Sequence, residues 1–214
     1  MGGDSLRPRI AIALAAAIWL IIAVVSGRND GQWVALRTFS IAGALVTLSF
    51  LVYERWGWAW RFVRFFTGKP NLNGTWRGEL RSDFVRDGKR IDPIPTVLRI
   101  KQTDSSVWVT LFTGESSSTT DMGKLVNESD DRWRITFVYT NRPRQEVRSR
   151  SDQHQGVCEL YITGRGDSLG GSYFTSRKTT GELHFSEWSQ LRYADAASAL
   201  TASEFGTANP FVRQ

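Results

Sequence analysis

Three alternating stretches of this 214-residue chain end in side chains suited to holding a small polar ligand. Every second residue of the first reads Val107, Val109, Leu111, Thr113. The second reads Trp133, Ile135, Phe137, Tyr139, Asn141, and the third Leu169, Gly171, Tyr173, Thr175, Arg177. Each row starts apolar and turns polar at one end. Hydroxyls and an amide supply hydrogen bonds, a guanidinium pairs with an anion, and phenol rings stack on flat groups.

No reaction centre accompanies them. G-x-S-x-G, a P-loop, H-E-x-x-H and an EF-hand loop are all absent. The run 164–167 (GRGD) reads as a tight turn, since no helix pattern follows it to make a dinucleotide fingerprint. His154 could be drawn into a triad with Ser116 or Ser118 and an aspartate, but nothing local supports it. The single cysteine, Cys158, excludes an intrachain disulfide and a paired-thiolate zinc site, and His154 and His184 are too few to replace it. Cys158 is expected as a small buried apolar residue. The chain is therefore expected to be no enzyme and to need no cofactor.

The elements that must position these rows have a period of two. Eight strands are expected at 73–82, 94–102, 107–114, 118–126, 132–140, 156–163, 168–176 and 182–188. Short turn signals such as TDSS, NESDD and KTTG separate them, with one longer arm near 141–153. Sequential short strands favour an eight-stranded up-and-down antiparallel β-barrel, all-β and closed so that no edge is left. The G-T-W opening at Gly74–Trp76 is of the kind found in calycin and avidin-like barrels, and Trp76 is expected to plug the base. Alternate strands of a meander run the same way, so the three polar ends meet at one mouth. That makes either a cup for a small polar ligand or a rim that merely meets solvent.

Ahead of the barrel the solvent changes. Residues 10–26 (IAIALAAAIWLIIAVVS) carry no charge and would rise about 26 Å as a helix, close to the hydrocarbon thickness. A second apolar stretch covers 33–53, with Trp56, Trp58, Trp60, Arg55, Arg61, Arg64 and Lys69 behind it. Residues 1–69 are thus expected to form a two-transmembrane α-hairpin, 70–190 the barrel, and 191–214 a flexible or short helical tail. The first 70 residues hold eight basic and three acidic side chains, a net +5; the remainder holds nineteen and eighteen, a net +1. The basicity sits on the flanks of the apolar stretches. Positive-inside then puts both termini and the barrel in the cytoplasm. A nearly neutral barrel does not bind a DNA or RNA polymer through its phosphates.

The order of motifs resembles a known family. Two spans are followed by GTWRG, TGESSSTT, YTNRP, HQG and GGSYFTSRKTTG, over roughly residues 5–190. This is similar to the two-transmembrane, β-strand-rich effectors associated with CD-NTase enzymes in CBASS anti-phage defence. The resemblance implies a barrel that senses a cyclic oligonucleotide, usually a cyclic dinucleotide, made by the partner synthase. It also implies oligomerisation in the bacterial inner membrane, membrane disruption and death of the infected cell. On that reading Arg177 pairs with a phosphate, while Thr113, Ser116, Ser118 and Thr175 donate hydroxyls. Tyr139 or Tyr173 stacks a base, Asn141 reads a base edge, and His154 lies near the same mouth. Arg177 pairing with Glu182, and Tyr139 as plain core, are the competing assignments. The competing functions are a passive lipocalin-like carrier of a lipid or other apolar molecule on a membrane anchor, and an envelope structural protein.

Overall fold

In a computed structural model, the protein is described over residues 16–18, 20–21, 32–86, 88–128, 132–163, 167–207 and 209. The chain divides into two compact units, residues 1–60 and Arg61–Gln214. In the first, residues 33–53 lie within one helix, α1 (Gln32–Arg55), followed by a 3-10 turn at Gly57–Ala59. Residues 10–26 fall mostly outside the described residues. Among those described, no helix is long and apolar enough to cross a membrane, so the expected two-span hairpin has no counterpart there.

The second unit opens with α2 (Arg61–Thr67) and then holds the strands β1 (Gly74–Ser82), β2 (Val85–Arg86), β3 (Lys89–Arg90), β4 (Ile94–Gln102) and β5 (Val107–Phe112). There follow β6 (Ser116–Asn127), β7 (Trp133–Pro143), β8 (His154–Thr163), β9 (Ser168–Thr175), β10 (Thr180–Ser189) and α3 (Ala196–Thr201). Eight of the strands close into an antiparallel barrel in the order β1-β10-β9-β8-β7-β6-β5-β4. β2 and β3 form a separate two-stranded hairpin inserted between β1 and β4. This is the expected eight-stranded meander, closed where β1 pairs with both β4 and β10. The first strand shifts its register against β10 between Arg77 and Gly78. The expected turns at 127–131 and 164–167 lie partly outside the described residues.

Alternation sorts the side chains, because successive residues of a strand point to opposite faces and the inner face meets the core. Val107, Val109, Leu111, Ile135, Phe137, Leu160, Leu169 and Phe185 all enter one core. Trp76 is fully buried in it, and its indole N–H donates to the Leu72 carbonyl oxygen at 3.1 Å. Trp188 lies beside this end and donates to the Asn73 carbonyl oxygen at 3.1 Å. The segment leading into β1 seals the same end. Leu72 is fully buried, its N–H donates to Gln102 Oε1 at 2.9 Å, and Gln102 Nε2 donates to the Pro70 carbonyl oxygen at 3.0 Å. Removing the Gln102 amide leaves a buried donor and a buried acceptor without partners, which costs about 1–3 kcal/mol. Gln102→Ala should lower the denaturant midpoint accordingly, and an unchanged midpoint would contradict this role.

Two flank charges need correcting. Arg64 and Lys69 were counted with the basic flank of the second span, but both are buried in the barrel's unit. Lys69 Nζ pairs with Asp104 Oδ1 at 3.1 Å, and Arg64 Nε donates to the Lys69 carbonyl oxygen at 3.4 Å. They fasten the leading segment to the β4–β5 turn. Of the four cations expected behind the second span, Arg55 and Arg61 are the exposed ones.

The region assigned to a tail also packs. Ala196 and Ala199 of α3 are buried against Val97, with Phe112, Tyr193, Leu200 and Phe205 around them. Asp195 caps α3 by accepting the Ser198 N–H at 2.8 Å. Arg77 pairs with Glu187 and donates to the carbonyl oxygens of Leu200 and Ala202. Residues 193–205 thus clasp the outer wall at β1 and β4.

Candidate functional site

The barrel end opposite Trp76 opens into a cavity of about 660 Å³. Its wall includes all nine residues proposed from the sequence: Thr113, Ser116, Ser118, Tyr139, Asn141, His154, Tyr173, Thr175 and Arg177. They come from the C-terminal ends of β5, β7 and β9 and the N-terminal ends of β6 and β8. Antiparallel pairing brings those ends to one rim. Phe137, Leu111, Leu183 and Cys158 form the floor.

One side of the cavity is a hydroxyl and amide cluster. Asn141 Nδ2 donates to Ser116 Oγ at 3.0 Å and to Ser118 Oγ at 2.9 Å. Ser116 Oγ lies 3.2 Å from Thr113 Oγ1. The amide's donors are spent on the serines, so its carbonyl oxygen is the group it can offer. Across the barrel, Thr175 Oγ1 and Thr179 Oγ1 share a hydrogen bond of 2.7 Å.

Two tyrosines stand between these clusters, each against a glycine on the neighbouring strand. Tyr139 pairs in register with Gly156, and Tyr173 with Gly181. A Cβ on Gly156 would lie 2.5 Å from Cζ and the hydroxyl of Tyr139, and one on Gly181 would lie 2.6 Å from Cε1 of Tyr173. Any side chain there would push the ring out of its seat. Burial raises both phenols above the ordinary range, so both remain protonated donors at neutral pH. Burial also raises the Cys158 thiol, which is an inert wall residue in the protonated form.

Arg177 does not pair with Glu182. Its Nη1 donates to Ser151 Oγ at 3.1 Å, and its charge is felt by His154, Tyr139 and Tyr173 together. His154 Nδ1 lies 3.0 Å from the Asp152 carbonyl oxygen, which fixes the proton on Nδ1 and leaves Nε2 as an acceptor. Desolvation lowers the His154 pKa from its usual 6.5; the hydrogen bond to the Asp152 carbonyl oxygen partly offsets this, and Arg177 adds to the lowering. His154 is neutral at pH 7. Its NMR titration midpoint should fall below 6.5 and should move upward in Arg177→Ala; a midpoint above 6.5 would contradict this geometry.

Some wall residues escaped the sequence reading. Phe84 and Ile91 come from the ends of the inserted β2–β3 hairpin. Val147, Arg150 and Ser151 come from the arm 144–153, and Glu115 from the β5–β6 turn. None sits in an alternating row. The one signal for Val147, Arg150 and Ser151 was the length of the 141–153 arm.

A closed barrel with an apolar floor, two phenols and a polar, net basic rim has the make-up of a site for a small polar ligand. The chain belongs to the family described as Cap15, cyclic dinucleotide receptor domain, whose sequence profile matches residues 67–187. It is also similar to CD-NTase-associated protein 15 of Staphylococcus schleiferi, 25% identical over 152 residues, or 71% of this chain and 78% of that protein. The matched span begins at the end of α2 and stops two residues short of the end of β10, so it takes in nearly all of the barrel.

Proposed function

We infer that this protein is a membrane-anchored receptor and effector of CBASS anti-phage signalling. Its barrel binds a cyclic dinucleotide released by a CD-NTase synthase, without catalysing a reaction. The observation that carries this is the meeting of two glycine-seated tyrosines, an amide–hydroxyl cluster and Arg177 in one cavity of about 660 Å³. Two rings suit two bases, and hydroxyls with a guanidinium suit the phosphodiester backbone. A passive lipocalin-like carrier would have less use for so polar a rim.

Residues 10–26 and 33–53 are proposed as two inner-membrane spans, with both termini and the barrel cytoplasmic. The exposed Ile41, Leu45, Leu48, Phe50 and Leu51 along α1 support this. Ligand binding favours a self-associating form, association gathers the spans into one patch, and the bilayer is breached. The direct test is calorimetric titration of the detergent-solubilised chain with a panel of cyclic di- and trinucleotides. No binding by any of them would overturn the receptor reading. Expression with an active synthase should depolarise cells, and deletion of residues 1–66 should abolish that. Toxicity that survives the deletion would overturn the membrane mechanism.

A further inference from the structure

The proposed reading leaves one phosphate unaccounted for. A cyclic dinucleotide carries two, yet the rows that pointed to the cavity contribute one guanidinium. Among the described wall residues the charged groups are Arg150, Arg177 and Glu115, with His154 neutral. Arg150 lies on the arm between β7 and β8, and its Nη2 pairs with the Glu115 carboxylate on the β5–β6 turn. The arm is tied down on both sides. The Arg144 N–H donates to the Glu115 carbonyl oxygen at 2.8 Å, and Ser151 Oγ accepts from Arg177. Val147 of the same arm is buried against the cavity. Arg150 and Arg177 thus sit at the same mouth, one on the arm and the other on the turn beside it.

We propose that Arg150 is the second phosphate-binding residue of this cavity, with Glu115 occupying it until a ligand arrives. The proposal rests on the receptor reading above and names residues for it. The side chains of Arg150 and Glu115 are 49% and 60% exposed, and an ion pair so open to water is held weakly. A phosphate offers the same planar fork two oxygens and a full charge in a partly enclosed site. Exchange of Glu115 for phosphate therefore takes place at little cost. Two guanidiniums answer two phosphates, and Glu115 acts as an internal competitor that discounts every ligand by the same step. A ligand with one phosphate is served by Arg177 and has no use for Arg150. The pair thus separates cyclic dinucleotides from cyclic mononucleotides by phosphate count, before any base is read.

The test is calorimetric titration of the full chain in detergent with cyclic di-AMP, cyclic di-GMP, cyclic GMP–AMP and cyclic UMP–AMP, and with 3′,5′-cyclic AMP and 3′,5′-cyclic GMP. Arg150→Ala should weaken the cyclic dinucleotide that binds by about 10- to 100-fold, the range for a charged hydrogen-bonded contact. It should leave the cyclic mononucleotides within about threefold. Glu115→Gln should tighten the dinucleotide severalfold, and this variant guards against a trivial loss through the fold. Arg150→Lys should recover part of the loss, since a lysine keeps the charge without the fork. Equal losses for both ligand sizes, an unchanged dinucleotide affinity in Arg150→Ala, or weaker binding in Glu115→Gln would each overturn the assignment of Arg150. No binding of any cyclic dinucleotide by the unaltered chain would overturn the receptor reading itself, and this inference with it.

Discussion

Alanine at both Tyr139 and Tyr173 is expected to weaken cyclic dinucleotide binding at least ~30-fold. A base stacked on an aromatic side chain is worth about 1–3 kcal/mol, so two rings stand for about 2–6 kcal/mol. The rings are also closely seated by the fold. Each is seated on a glycine in register on the next strand, where a Cβ would collide with it. They therefore meet a ligand without first being ordered by it, and their loss is not made good by neighbouring side chains. Single substitutions should fall between the native and double-variant affinities. Tyr139→Phe and Tyr173→Phe keep the stacking face and should stay much closer to the unaltered chain. Calorimetric titration with the cyclic dinucleotide that binds gives the comparison, with far-UV circular dichroism confirming that the barrel survives. A double alanine variant of native affinity would remove the tyrosines from the site.

The second large effect belongs to the opposite end. Trp76→Ala should destabilise the barrel by about 3–5 kcal/mol, the usual cost of emptying a buried indole's place. Trp76 is fully buried, its N–H is bonded to Leu72, and the segment 69–73 seals the space beneath it. The surroundings have little room to collapse, because strands β1, β4 and β10 are locked in register on either side. Denaturant unfolding should show the drop, while the fraction that remains folded should bind ligand near normally, since the cavity lies at the far end. An unchanged midpoint would mean that the closed end is held by Trp188 and Leu72 without Trp76.

The parts of this molecule that were legible in the sequence are those governed by a period. The interior faces of β5, β7 and β9 are apolar at one end and polar at the other, so Val107 through Thr113, Trp133 through Asn141 and Leu169 through Arg177 announced both the strands and the direction of the polar end. That is why the six candidates in those rows, Thr113, Tyr139, Asn141, Tyr173, Thr175 and Arg177, fall on one cavity. What escaped has no period. Gln102, Lys69 and Asp104 are buried polar groups satisfied by partners about thirty residues away, and a lone polar residue in the sequence looks the same exposed or buried. Arg64 and Lys69 read as flank charges for that reason. The packing of α3 on Val97 was equally hidden, since a six-residue helix carries too few turns to show a face. Arg150 and Glu115 sit on connections, where the sequence pattern is silent about which loop leans over the mouth. The glycine seats of Tyr139 and Tyr173 become visible once the register of the strands is known, for a glycine marks a close approach without saying to what.

The sealing of the barrel's closed end has a mechanical consequence. The polypeptide arriving from residue 61 is moored there by the Lys69–Asp104 pair, by Leu72 and by both ends of the Gln102 amide. Any tension arriving along the chain from that side is therefore taken up at the sealed pole and spread over the two ladders of β1 before it reaches a residue of the cavity. The converse also holds. An event at the rim is separated from residue 61 by the length of the wall strands.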